Sequence, residues 1–221
     1  MNKVLTTIKN LWKKFVDNFI KMPLRVMAHP VIGYTEFKED KKGKLSVAIG
    51  MVIIYALITI IRYNADGIII NANDPTKFNS LKLLVYTVMP LIILSVANWS
   101  ITTLMNGKGT MKQILTMGGY SYFPLIFVSI INLALSNVLT VSEAQIITLL
   151  TVIGVVLMAY MIFMGLVVIH EYGVGKAITT IVLTIIATAV ILFIALLIFD
   201  LSSQIYGFIY SLYKEIVSRY F

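Results

Sequence analysis

Apolar residues recur at helical spacing from the start of the chain. Val4, Leu5, Ile8, Leu11, Trp12, Phe15, Val16, Phe19 and Ile20 follow an i, i+3, i+4 rhythm, and Lys3, Lys9, Asn10, Lys13, Lys14, Asp17 and Lys21 fill the positions between them. This pattern predicts an amphipathic helix. A Lys-rich face opposite Trp and Phe suits a helix lying at a membrane surface, or one that packs its apolar stripe on the protein's own bundle. No apolar run here is long enough for a signal-peptide core, so no cleavage is expected. Pro23 and Pro30 end the pattern, which sets a first unit at residues 1–28. Residues 29–44 include the run Phe37-Lys38-Glu39-Asp40-Lys41-Lys42-Gly43-Lys44 and read as a short, hydrated, basic linker.

From residue 45 the pattern changes. Five long apolar runs follow: Leu45–Ile61 closed by Arg62, Leu81–Met105, Gln113–Leu135, Ala144–Ile169 closed by His170-Glu171, and Ala177–Phe199 closed by Asp200. A hydrocarbon core of about 30 Å takes roughly 17–25 helical residues to cross, and helix is the economical way to satisfy the backbone there. The runs lack the alternation of a barrel strand. The expected fold is all-α: a polytopic five-transmembrane-helix bundle over residues 45–200, flanked by amphipathic helices at both ends. The second of these is residues 201–221, where Leu201, Ile205, Phe208, Ile209, Leu212 and Ile216 keep helical spacing among four tyrosines. It is expected to lie on the outer leaflet or to extend the fifth span.

Composition agrees with this picture. The chain has 221 residues, of which 59% are hydrophobic and 13% charged, half the charge of an ordinary soluble domain; mean hydropathy is +0.91. Cysteine is absent, so no disulfide, thiolate metal site or thiol nucleophile is available. The two histidines, His29 and His170, stand far apart. The net charge is +8, and residues 1–44 hold ten Lys/Arg against four acidic residues. A basic segment beside a membrane points to anionic headgroups rather than to nucleic acid. With the N-terminus inside, thirteen Lys/Arg fall on inside segments and five on outside ones. The positive-inside rule therefore predicts a multi-pass protein of the cell membrane, its N-terminus cytoplasmic and its C-terminus outside.

Polar residues stand both between and within the runs. Two turns resemble each other, Asn106-Gly107-Lys108-Gly109-Thr110 and Glu171-Tyr172-Gly173-Val174-Gly175-Lys176. Their glycines permit the φ > 0 conformations of a tight turn. A Lys beside exposed backbone N–H groups also suits a lipid phosphate, although the Walker spacing is absent. Inside the spans, Asn98, Asn132 and the small residues Gly118, Gly119 and Ser121 suit helix–helix contact. Pro90 and Pro124 predict kinks. No Asp, Glu, Lys or Arg stands near the middle of a span, which argues against active transport. His170-Glu171 reads as a polar helix end. No metal, cofactor or catalytic constellation is expected, so the chain does not read as an enzyme. The candidate interaction or lipid contacts are Trp12, Lys13, Lys14, Asn98, Trp99, Lys108, Tyr120 and Lys176.

The series His29-Pro30 and Phe37, Asn98-Trp99, Gly107-Lys108-Gly109-Thr110, and Gly119-Tyr120-Ser121 with Pro124 resembles the Yip1 domain family over roughly residues 28–200. The chain is more similar to its bacterial branch, since the Asp-Leu-Tyr-Gly-Pro motif that eukaryotic members carry before the first span has no counterpart here. The resemblance implies a five-span membrane scaffold or adaptor that binds partner membrane proteins or organises the bilayer. Two other readings stay open: an accessory or permease-like transport subunit, with Pro90 and Pro124 lining a path, and a lipid enzyme holding headgroup phosphate on its Gly-Lys turns. The expected partners are the lipid bilayer, anionic lipids above all, other membrane proteins such as an ABC-type transporter, and a second copy of the chain.

Overall fold

The computed structural model describes residues 2–39 and 42–220, and among them every regular element is helical. Asp40 and Lys41 of the expected linker, and the side chains of Lys3, Val4, Leu5, Ile8, Leu11 and Tyr220, lie outside the described residues. The helices are α1 (Asn2–Val16), α2 (Met22–Ala28), α3 (Pro30–Lys38), α4 (Leu45–Ala65), α5 (Ser80–Leu104), α6 (Met111–Tyr120), α7 (Phe123–Ser136), α8 (Gln145–His170) and α9 (Val174–Tyr220). Five segments are long and apolar enough to cross a membrane: α4, α5, α6 with α7, α8 and α9. The bundle thus has a near end, where α3, the α5–α6 turn and the α8–α9 turn meet, and a far end, where the 66–79 and 137–144 connections meet.

The third crossing is the axle of the bundle. Its most apolar stretch is 72% buried, against 6% for that of α9. α6 packs on α4, α5 and α8, and α7 packs on α8 and α4. Close approach needs small residues. A β-carbon on Gly119 would stand 2.6 Å from that of Ala48 and 2.7 Å from its carbonyl oxygen, so α6 and α4 touch backbone to backbone. Pro124, near the start of α7, breaks this crossing at Ser121-Tyr122. Pro90 sits inside α5. One turn earlier, the Tyr122 hydroxyl donates to the Thr87 carbonyl at 3.1 Å, so the break in one helix supplies a donor to the disturbed turn of the other.

The N-terminal segment departs from expectation in two places. The helix does not stop at Pro23: a π-helical turn at Asp17–Lys21 leads directly into α2, with Pro23 as its second residue. The first half contacts little beyond that turn, and Trp12 is 67% exposed. The second half docks, with Phe19 over Gly50 of α4 and Val26 fully buried against Gly33. Residues 29–44 are not a hydrated linker. They contain α3, which packs on α2, α8 and α6 and buries Tyr34 and Phe37. The Phe37 ring meets Tyr120 edge-on at 4.6 Å. Of the sequence's charge run, Glu39, Lys42 and Lys44 are exposed.

α9 is continuous from Val174 to Tyr220, so the tail extends the fifth crossing. At 1.5 Å per residue it is about 70 Å long, more than twice a hydrocarbon core.

Candidate functional site

Three chain segments converge at the near end. α8 ends with Glu171 in the left-handed conformation, φ 56°, and the Tyr172 N–H returns to the Val167 carbonyl at 2.9 Å. α5 ends the same way at Asn106, φ 55°, and the Gly107 N–H returns to Thr102 at 2.7 Å. Thr110 and Gln113 then form a reciprocal capping box that starts α6. Among the described residues no glycine has positive φ, which corrects the expectation that the turn glycines serve backbone conformation. Gly107 and Gly109 serve proximity. A β-carbon on Gly107 would stand 2.6 Å from both His170 Nδ1 and Tyr172 Oη, and one on Gly109 would stand 2.6 Å from His170 Cε1.

The two turns are therefore one junction. The Gly109 N–H donates to His170 Nδ1 at 3.2 Å, which places the histidine proton on Nε2. That nitrogen is buried without a partner, and the side chain is 1% exposed. The Tyr172 ring stacks on His170 at 5.3 Å, and its hydroxyl donates to the carbonyls of Thr102, 3.4 Å, and Met105, 3.3 Å; burial raises the pKa of this phenol. Lys108 of the turn and Lys38 of α3 each donate to one oxygen of Glu171. These two ammonium groups, Lys108 first, pull the Glu171 carboxyl down to about 2. Solvent-exposed pairs of this kind contribute little each; the buried histidine and tyrosine carry the docking. The second turn is different, because β-carbons on Gly173 and Gly175 would meet nothing. The likeness of the two G-x-G sequences is not a likeness of packing.

The residues singled out from the sequence occupy four places. Lys108 and Lys176 lie at the junction, both engaged: Lys108 on Glu171, and Lys176 over the Tyr172 ring at 4.2 Å. Tyr120 is fully buried, in the core beside Phe37. Asn98 ties α5 to α9 through Thr184 Oγ1 at 3.1 Å, while its neighbour Trp99 is 45% exposed on the outside of the bundle. Trp12, Lys13 and Lys14 are exposed on α1, far along the chain from the rest. Sequence reasoning missed His170, Glu171 and Tyr172 as partners of the Gly-Lys-Gly turn, and Lys38 as the second lysine on Glu171. The only local signal was a buried-type ring and a carboxylate at a helix end, which nothing in spacing connects to a turn 63 residues earlier.

Two apolar hollows lie between the helices. One, of about 190 Å³, lies between α5, α6, α8 and α9, and its lining is apolar apart from a few residues, Ser95, Asn98 and Thr184 among them. The other, of about 690 Å³, is a groove between residues 15–27 and α4, α7 and α8. Among the described residues no three His, Cys, Asp or Glu are grouped to hold a metal. The junction offers a partly charged surface over a buried histidine and tyrosine.

A family model described as the Yip1 domain matches residues 24–213. No curated protein and no solved structure gave a significant match. The matched stretch takes in α3, all five crossings and the near-end junction.

Proposed function

We propose that this chain, which belongs to the Yip1 domain family, works as a non-catalytic membrane scaffold or adaptor, with α1 as its membrane-surface or partner-binding arm. The observation that carries this reading is the contrast within the N-terminal helix. Residues 17–28 dock on the bundle, whereas α1 projects with Trp12 and Phe15 exposed beside exposed Lys9, Lys13 and Lys14. A helix with aromatic and basic groups left uncovered by its own protein binds an anionic lipid surface or an acidic partner. The arm is on the near end, and the excess of Lys/Arg on that side supports a cytoplasmic N-terminus at the cell membrane. Other membrane proteins, a transporter among them, are the partners such an arm recruits. A transport subunit is less well supported, because the hollow bordered by Pro90 and Asn98 has an almost wholly apolar wall.

The test uses Trp12 as reporter in a Trp99→Phe chain placed in nanodiscs. Trp12 emission is expected to shift to the blue and to be quenched by brominated lipid, more strongly with phosphatidylglycerol than with phosphatidylcholine. Deletion of residues 2–16 is expected to remove membrane proteins that co-purify with the intact chain. Water-like Trp12 emission in both lipids, together with unchanged co-purification, overturns the proposal.

A further inference from the structure

A basic hollow of about 560 Å³ opens at the near end, between the close of α3 and the starts of α4 and α6. Lys38, Lys44 and Lys112 stand in its wall, and among the described residues no Asp or Glu does. Two of these lysines have partners outside the hollow. Lys38 donates to Glu171, and Lys44 Nζ donates to Asn18 Oδ1 at 3.0 Å. The asparagine is neutral, so it leaves the Lys44 charge unbalanced. Lys112 is exposed and pairs with no described carboxylate. Lys44 and Lys112 therefore hold the hollow positive. The starts of α4 and α6 add to this in second place: Leu45, Ser46 and Thr110 also line the hollow, and N–H groups at a helix start carry partial positive charge.

The hollow stands where two crossings begin, so its floor leads into the hydrocarbon. Ile49, Ile53 and Leu57 follow Ser46 at steps of 3, 4 and 4 residues, which puts all four along one face of α4. That face is uncovered, with Ile49, Ile53 and Leu57 each about half exposed. An anion seated among the lysines has an open apolar path beneath it, about 17 Å long. A soluble phosphate uses the lysines and leaves that path empty. A phospholipid uses both, with its headgroup at the level of the lysines and its chains on the isoleucines.

We infer that this hollow binds the phosphate of an anionic membrane phospholipid, with Lys44 and Lys112 donating to its oxygens and an acyl chain laid along the 46–57 face of α4. The site lies on the bundle itself, apart from the α1 arm. It fixes a single lipid at a set place, whereas the arm meets a lipid surface.

The test offers the full chain, in detergent, a mixture of phosphatidylglycerol and phosphatidylcholine, and reads the retained lipid by native mass spectrometry. A single phosphatidylglycerol is expected to be retained in preference. Lys44→Gln combined with Lys112→Gln removes two charge-assisted bonds and is expected to lower this retention about tenfold or more. Ser46→Glu probes the same place with every lysine kept. A carboxylate suits the first turn of α4 but repels a phosphate, so retention is expected to fall by a similar factor with no loss of thermal stability. Lys13→Gln combined with Lys14→Gln, on the arm, is expected to leave retention unchanged. Equal retention of phosphatidylcholine, undiminished retention in either hollow variant, or an equal loss in the arm variant overturns the inference. So does displacement of the lipid by millimolar inorganic phosphate, which would mark the hollow as a site for a soluble anion. Trp12 emission reads the arm and not the hollow, so the two proposals fail separately.

Discussion

A β-carbon on Gly109 would collide with the His170 ring, while one on Gly175 would meet open space. The two residues occupy matching places in matching sequences, so the pair isolates packing from turn chemistry. Gly109→Ala must push the turn off the histidine and break the Gly109 N–H to Nδ1 bond. The expected cost is about 1–3 kcal/mol, the usual range for overpacking. Gly175→Ala is expected to change stability by less than about 0.5 kcal/mol, as surface changes do. Thermal unfolding of the detergent-solubilised protein, followed by circular dichroism, checks both; equal effects would show that the junction is not docked as described. His170 illustrates why the site was not legible in the sequence. At residue 170 a helix simply ends in a polar pair. Its role exists only because α5 brings Gly107 and Gly109 against it.

At the scale of the element, α9 shows where local pattern reaches its limit. An apolar run closed by Asp200 and followed by an amphipathic stretch permits a bend onto the bilayer or a straight continuation. The structure takes the second, and the stretch contains no proline to force a bend. Spin labels at Val190→Cys and Ser211→Cys, diluted with unlabelled protein, are expected to lie about 32 Å apart along a straight helix. A clearly shorter distance would place the tail on the membrane surface. The N-terminal helix makes the converse point. Pro23 signals a stop, yet a π-helical turn ahead of it carries the chain through to α2, and that continuity is what lets one end dock while the other stays free.

For the whole molecule, the five crossings divide its connections between two ends. A cysteine-free chain makes this directly measurable. An impermeant maleimide applied from one side of a sealed vesicle is expected to label Ala72→Cys and Ser142→Cys together, and to label Lys112→Cys and Gly175→Cys only from the other side. Mixed labelling within either pair would break the arrangement of crossings. Hydropathy by itself determined that the chain crosses the bilayer five times as helices, because only a long apolar stretch that bonds its own backbone is stable there. The NW, GKGT and GYSYFP segments were enough to suggest the family. Which crossing is central, that α3 is a buried helix and not a linker, and that the Gly-Lys-Gly turn closes on His170, Glu171 and Tyr172 were decided only in three dimensions. A transmembrane helix is apolar on all sides, so its sequence carries little record of which face meets a neighbour. That choice is made by small residues such as Gly119 and by polar atoms whose partners lie sixty or more residues away.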